Sequence, residues 1–250
     1  MRIEFDLDEL GNPVGKPVPA HEPALRPSRD RVLEGPYARL EPLNSAHAAD
    51  LWDAFTDDAD GRTWTYLGIG PFESQAPFDE WILGASESAD PFFYAIIDRT
   101  TDRAVGFGSF LRIDPASRTT EVGWLTFSPR MQRTPVSTDA MFLMMREAFA
   151  LGNRRYEWKC NALNAPSIAA AHRLGFSFEG LFRQALVTKG RNRDTAWFSI
   201  IDSDWPDLAR AFMQWLSPEN FDANGKQRSR LSDLTAPFVV SRWPSLTIEQ

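Results

Sequence analysis

Between Ser128 and Gly175 the chain gathers hydroxyl, amide and guanidinium side chains at two helix starts. Gln132, Arg133, Thr134, Pro135, Val136, Ser137 and Thr138 form a polar loop that runs into an apolar helix. A helix N-terminus offers unpaired N–H groups and a partial positive charge, which suit the phosphates of a large anionic cofactor. Thr134 is placed to cap the helix, with Pro135 at its first position. Ser137 and Thr138 add hydroxyls, and Arg130 and Arg133 add charge. This is not a nucleotide-triphosphate loop, because G-x-x-x-x-G-K-S/T is absent. No G-x-G-x-x-G opens a helix after a strand, which disfavours a dinucleotide. The second start runs from Asn164 to Ser167 and opens a helix closing at Leu174, Gly175 and Phe176. Asn164 and Ser167 read either as caps or as polar groups facing a ligand.

Other chemistry is thinner. Glu121 and Glu157 lie on successive strands and are the candidate bases. Glu121 reads as a proton acceptor or as one half of a solvated pair with Arg112 or Arg118, and Glu157 as an ion-pairing group. Cys160 is the only cysteine and has no neighbouring histidine, so neither a disulfide nor a thiol nucleophile is expected, and the compartment reads as reducing. The three histidines have no metal-ligand spacing, and His172 reads as a surface helix residue. Trp64 and Tyr66 sit in a loop from 56 to 72, either tucked into the core or lining a pocket.

The elements that must hold these groups follow from apolar pattern. Strands are predicted at 37–43, 92–98, 104–113, 119–127, 156–160, 176–188 and 195–202. Helices are predicted at 46–55, 75–86, 139–151, 164–174 and from Asp204. A polar turn from Lys189 to Asp194 joins the last two strands. This order describes an α/β protein with a mixed sheet and helices on both faces. Residues 1–35, rich in Pro and Gly, read as an extended arm, 36–216 as the domain, and 217–250 as an extension. The net charge of −7 argues against nucleic-acid binding. An acidic surface would suit amine-bearing substrates, and simple solvation explains it as well. The N-terminus carries no signal peptide and no apolar run spans a membrane, so the chain reads as cytoplasmic, with no membrane partner.

Taken in order, these residues resemble the GNAT N-acetyltransferases, in the branch of the ribosomal-protein acetyltransferases RimJ and RimL. Gln132 to Ser137 falls where that family has Q/R-x-x-G-x-G/A. Asn164 to Ser167 followed by Leu174, Gly175 and Phe176 is similar to the branch's N-x-x-S and closing L-G-F. The likeness runs from about Tyr37 to Trp205. It implies a mostly antiparallel central sheet and acetyl-CoA as cofactor, held by the backbone around Gln132, Arg133, Thr134, Val136, Ser137 and Thr138. By the same resemblance, Leu125 and Phe127 offer backbone groups to the pantetheine arm and Asn164 bonds it. Glu121 becomes the base, on a strand that splays from its neighbour, and Ser167 a proton donor to the departing thiolate. Trp64, Tyr66 and Arg193 or Asp194 border the acceptor.

Pro135 and Ser137 replace glycines of the family motif, and Pro135 removes one backbone donor. Ala171 stands where many members have a tyrosine acid, so the acid is another residue, ordered water or absent. The expected reaction is direct acetyl transfer to a primary amine of a small molecule or a protein N-terminus, by a monomer or homodimer. A small molecule is favoured, because resemblance does not transmit a ribosomal substrate. A non-catalytic acyl-CoA-binding module is the alternative, and a partner-binding protein without cofactor a third reading.

Overall fold

The computed structural model describes residues 3–18 and 22–244. The chain begins with a small hairpin, β1 (Phe5–Leu7) and β2 (Pro13–Gly15), in place of a plain extended arm. Residues 22–35 then run along the domain. The Ala24 N–H donates to Pro115 O at 3.0 Å, that of Leu25 to Leu151 O at 2.8 Å, and Arg31 pairs with Glu147 at 2.8 Å.

The domain is built on β3 (Leu33–Glu34), β4 (Ala38–Pro42), β5 (Phe92–Asp98), β6 (Arg103–Asp114), β7 (Thr119–Phe127), β8 (Arg155–Asn161), β9 (Ser177–Thr188) and β10 (Arg191–Ile201). They form one sheet in the order β3-β4-β5-β6-β7-β8-β10-β9, antiparallel throughout except between β7 and β8. Helices α1 (Ala48–Phe55) and α2 (Gln75–Glu87) cover one face of its first half. The other face carries α3 (Pro135–Ala150), α4 (Ala165–Arg173) and α5 (Trp205–Leu216). Coverage on both sides explains the unbroken apolar run of β5. Phe92, Tyr94 and Ile96 enter the core under α3, while Phe93, Ala95 and Ile97 enter the core under α1 and α2.

Asn44 caps the turn leading into α1 together with His47. The turn between β9 and β10 is tighter than expected. Lys189 (φ 49°) and Gly190 (φ 70°) suffice, because two left-handed residues match the twist of a hairpin. The stretch after Leu216 is packed and includes α6 (Leu231–Thr235). Leu231 is buried in the core, and Phe221, Phe238 and Trp243 pack against it.

One local distortion shapes everything that follows. Along β6 and β7, Ser109 faces Gly123 but Phe107 already faces Thr126, so Trp124 and Leu125 together oppose Gly108. Trp124 takes φ of 52°, an uncommon value for a bulky residue, and the strand bends at this bulge. Gly108 has no Cβ because one would stand 2.8 Å from Leu125 Cδ2. The bend carries β7 away from β8. Their parallel pairing runs from Thr119 and Arg155 to Val122 and Trp158, and stops there.

Candidate active site

Beyond Val122 and Trp158 the sheet opens into a cleft of about 1750 Å³ that continues along both diverging strands. Leu125 and Phe127 line it from the freed end of β7, while Lys159, Cys160 and Asn161 line it from β8. Towards α3 and α4 the walls are Ser137, Thr138, Asn164, Ser167 and Arg173. Towards the opposite mouth they are Tyr66, Leu67, Phe182 and Leu186.

The N-terminus of α3 faces this cleft without a side-chain cap. Thr134 occupies the cap position, but its hydroxyl donates to Met131 O at 2.7 Å, and Ser137 Oγ donates back to Thr134 O at 2.9 Å. The first-turn N–H groups therefore have no side-chain acceptor among the described residues, the condition an anion site requires. Thr138 Oγ1 accepts from Arg173 at 3.1 Å, and the same guanidinium lies 5.0 Å from the Trp215 ring centroid. Among the described residues Arg173 has no acidic partner, and burial pushes its pKa down. A half-buried cation beside an uncapped helix start fits phosphate oxygens. The extension closes this end with Phe221, Gly225, Lys226 and Gln227.

Where the strands part, Glu121 is buried and held by two cations. Arg112 donates to its Oε2 at 2.6 Å and Lys159 Nζ lies 2.8 Å from the same oxygen. Its Oε1 has no hydrogen bond among the described residues. Lys159 is itself buried, paired with Glu157 at 2.8 Å and set 3.6 Å from the Trp197 ring centroid. Glu157 is also bonded by Arg155 at 2.7 Å. Its pKa is lowered on balance, although its burial opposes the effect of Lys159 and Arg155. Glu157 is thus the ion-pairing group expected.

The other expected residues divide. Ser167 lines the cleft, and its Oγ accepts from Trp158 Nε1 at 3.1 Å. Asn164 caps α4 through its Oδ1 on Ser167 N at 3.2 Å, with its Nδ2 directed to no partner among the described residues. Gln132 is exposed, and its side-chain amide donates back to Phe127 O at 2.8 Å, so that carbonyl already has one donor. Arg133 lines the cleft in a left-handed conformation (φ 61°). The Val136 side chain is buried in the core, leaving only its backbone for a ligand.

Trp64 does not line the cleft. It is buried between Phe55 and Phe72, at ring distances of 5.0 and 5.5 Å, because its indole fills the space under the loop. Tyr66 does line it, and its hydroxyl donates to Leu163 O at 3.0 Å, joining the two walls. Asp194 is diverted to structure: its Oδ1 accepts from Gln184 N at 2.6 Å and Asn192 at 3.0 Å, stabilising a bulge in β9. Its neighbour Arg193 faces the cleft instead. His172 is not a free surface group, since its ring packs on Phe198 and accepts the Trp243 N–H at 2.9 Å. Cys160 is buried, and burial raises its thiol pKa, the wrong direction for a nucleophile.

Sequence reasoning offered Arg112 as a partner of Glu121, which the structure bears out, but it missed Lys159 and Arg173. Their types were visible, but only the fold shows which cations have an intrachain partner. It also reverses the electrostatic reading. Seven of the charged side chains lining the cleft are cations and two are anions, in a chain of net charge −7.

Residues 38–177 match the family model of the acetyltransferase (GNAT) domain. The chain belongs to the GNAT acetyltransferases. A GCN5-related N-acetyltransferase from Brucella melitensis is 44% identical, with a TM-score of 0.85 over 88% of this chain and 100% of that one. An uncharacterized N-acetyltransferase p20 of Bacillus licheniformis is 28% identical over 150 residues, 59% of this chain and 84% of that one. The fold is also shared with a Salmonella typhimurium acetyl transferase that modifies the N-terminal serine of ribosomal protein L7/L12. That structure is 21% identical, with a TM-score of 0.58 over 68% of this chain and 99% of that one. In this GNAT chain the parted strands and the uncapped α3 border one cleft, and the bulge at Trp124 lies on its wall. Ala171, where the resemblance implies a tyrosine in many members, is fully buried and carries no acidic group.

Proposed function

We propose that this chain transfers an acetyl group from acetyl-CoA directly to a primary amine. The observation that carries the reading is the single gap between β7 and β8, with an uncapped helix N-terminus on one side and the Glu121 carboxylate where the gap closes. Acetyl-CoA would supply the activated acyl group as a thioester. The first turn of α3, Arg173 and Thr138 hold its phosphates, and the freed backbone of Leu125 lies along its arm. The Asn164 amide adds a donor beside it.

Attack requires the amine in its neutral form. Arg112, Lys159 and Arg193 around the acceptor mouth disfavour an ammonium ion and so favour the free base. Glu121 takes the proton through Oε1, directly or through water, while its Oε2 stays anchored by the two cations. Ser167 is the hydroxyl on the cleft wall nearest in sequence to Ala171 and serves the departing thiolate.

A small acceptor fits better than a folded protein. The acceptor mouth is roofed by the loop from 56 to 72, fastened by Tyr66 on one side. On the other, Lys189 Nζ donates to Trp64 O at 2.9 Å and Gly70 O at 2.6 Å. Two measurements test the proposal. Acetyl-CoA must raise the melting temperature, and free thiol must appear when an amine panel is added. Stabilisation without thiol release from any amine would leave only a binding module.

A further inference from the structure

Resting on the transfer reading above, we infer that the acceptor amine also carries a carboxylate, and that Arg193 is the residue that recognises it. Arg193 lies on β10 at the acceptor end of the cleft. Its Nε is buried without a hydrogen-bond partner, and the guanidinium forms no ion pair among the described residues. The anions that might satisfy it are engaged elsewhere. Glu121 is held by Arg112 at 2.6 Å and Lys159 at 2.8 Å, and Asp194 is committed to Gln184 N and Asn192. Asp58, the other cleft acid, accepts the Thr63 N–H at 2.9 Å.

A half-buried cation without a counter-ion is costly, and burial accordingly lowers the Arg193 pKa. The cofactor phosphates do not answer it, because they have Arg173 and the α3 N-terminus at the far end. Arginine's planar fork matches a carboxylate with two parallel hydrogen bonds. Beside it, Phe182 and Trp197 stack with centroids 4.3 Å apart and give an apolar surface. Amine, apolar body and carboxylate together describe a small amino acid-like acceptor.

The test pairs each free α-amino acid of an aliphatic and aromatic panel with its carboxamide. Binding to the CoA-loaded protein is measured by calorimetry, and thiol release is measured with acetyl-CoA. The free acids should bind, and turn over, at least about tenfold better than the amides, the size of one charge-assisted interaction. Arg193→Gln should bring that ratio close to one with the acetyl-CoA Kd unchanged, and Arg193→Lys should keep part of it. A wild-type ratio near one, or a ratio that Arg193→Gln leaves intact, overturns the inference. Should no panel amine release thiol, the transfer reading fails, and the calorimetric ratio still judges Arg193 by itself.

Discussion

Lys159 Nζ stands 2.8 Å from Glu121 Oε2 immediately beyond the last paired residues of β7 and β8. A buried lysine on one strand and a buried glutamate on the other thus brace the point where the sheet divides. Arg112 holds the glutamate from a third strand. The brace fixes one carboxylate oxygen and leaves its partner oxygen for chemistry.

Glu121→Gln keeps the shape of that side chain and removes its capacity to take a proton. It should lower kcat/KM by about 10²–10⁴ while the acetyl-CoA Kd stays within error. Wild-type turnover would remove Glu121 as the base.

Ser137→Asp separates helix stability from cofactor binding. A carboxylate in the first turn of α3 favours the helix dipole by about 0.3–1 kcal/mol, so the melting temperature of the free protein should hold or rise. The same charge repels phosphates, so acetyl-CoA should bind at least about tenfold more weakly. A fall in both quantities would mean that the variant is simply misfolded.

His172 gives a pH-dependent anchor for the C-terminal strand of chain. Trp243 N–H donates to Nε2, and Nδ1 lies 3.2 Å from Phe176 O, so the ring is neutral with its proton on Nδ1. Burial holds its pKa below the usual value of about 6.5. The unfolded chain therefore protonates first, and this contribution is complete above about pH 6.5 and lost as pH falls towards the lower folded pKa. Hydrogen exchange at the Trp243 amide, corrected for intrinsic rate, should keep its protection above about pH 6.5 and lose it as the pH falls below that value in the wild type. Protection that stays constant through that fall would contradict the assignment.

Gly35→Ala should destabilise the fold by about 1–3 kcal/mol in urea titration. A Cβ at this position would meet the Asp139 carboxylate, which accepts the N–H groups of Tyr37 and Ala38 at 2.7 and 2.8 Å. A cost below about 0.5 kcal/mol would show that the carboxylate can move aside.

The sheet and helices were legible because both-face burial writes itself as long apolar runs, as in β5. The α3 start was legible too, since Pro135 marks a first turn and the hydroxyls around it are conspicuous. The acceptor end was not. A bulge in β9 at Gln184 (φ 49°) decides between the two expected residues, tying up Asp194 and leaving Arg193 to the cleft, and no pattern in the turn announces it. Trp64 and Tyr66 look equivalent in sequence, yet two residues' separation in a loop sends one to the core and the other to the cleft. Arg173 looks like any helix-end arginine until the fold shows that no carboxylate among the described residues reaches it.

Phe221 and Lys226 line the end of the cleft that holds Arg173, though they lie well past the family match, which ends at residue 177. The stretch after Leu216 therefore forms part of the cleft wall and is more than packing around the sheet. A version trimmed to residues 38–177 would lose a wall of its own cleft.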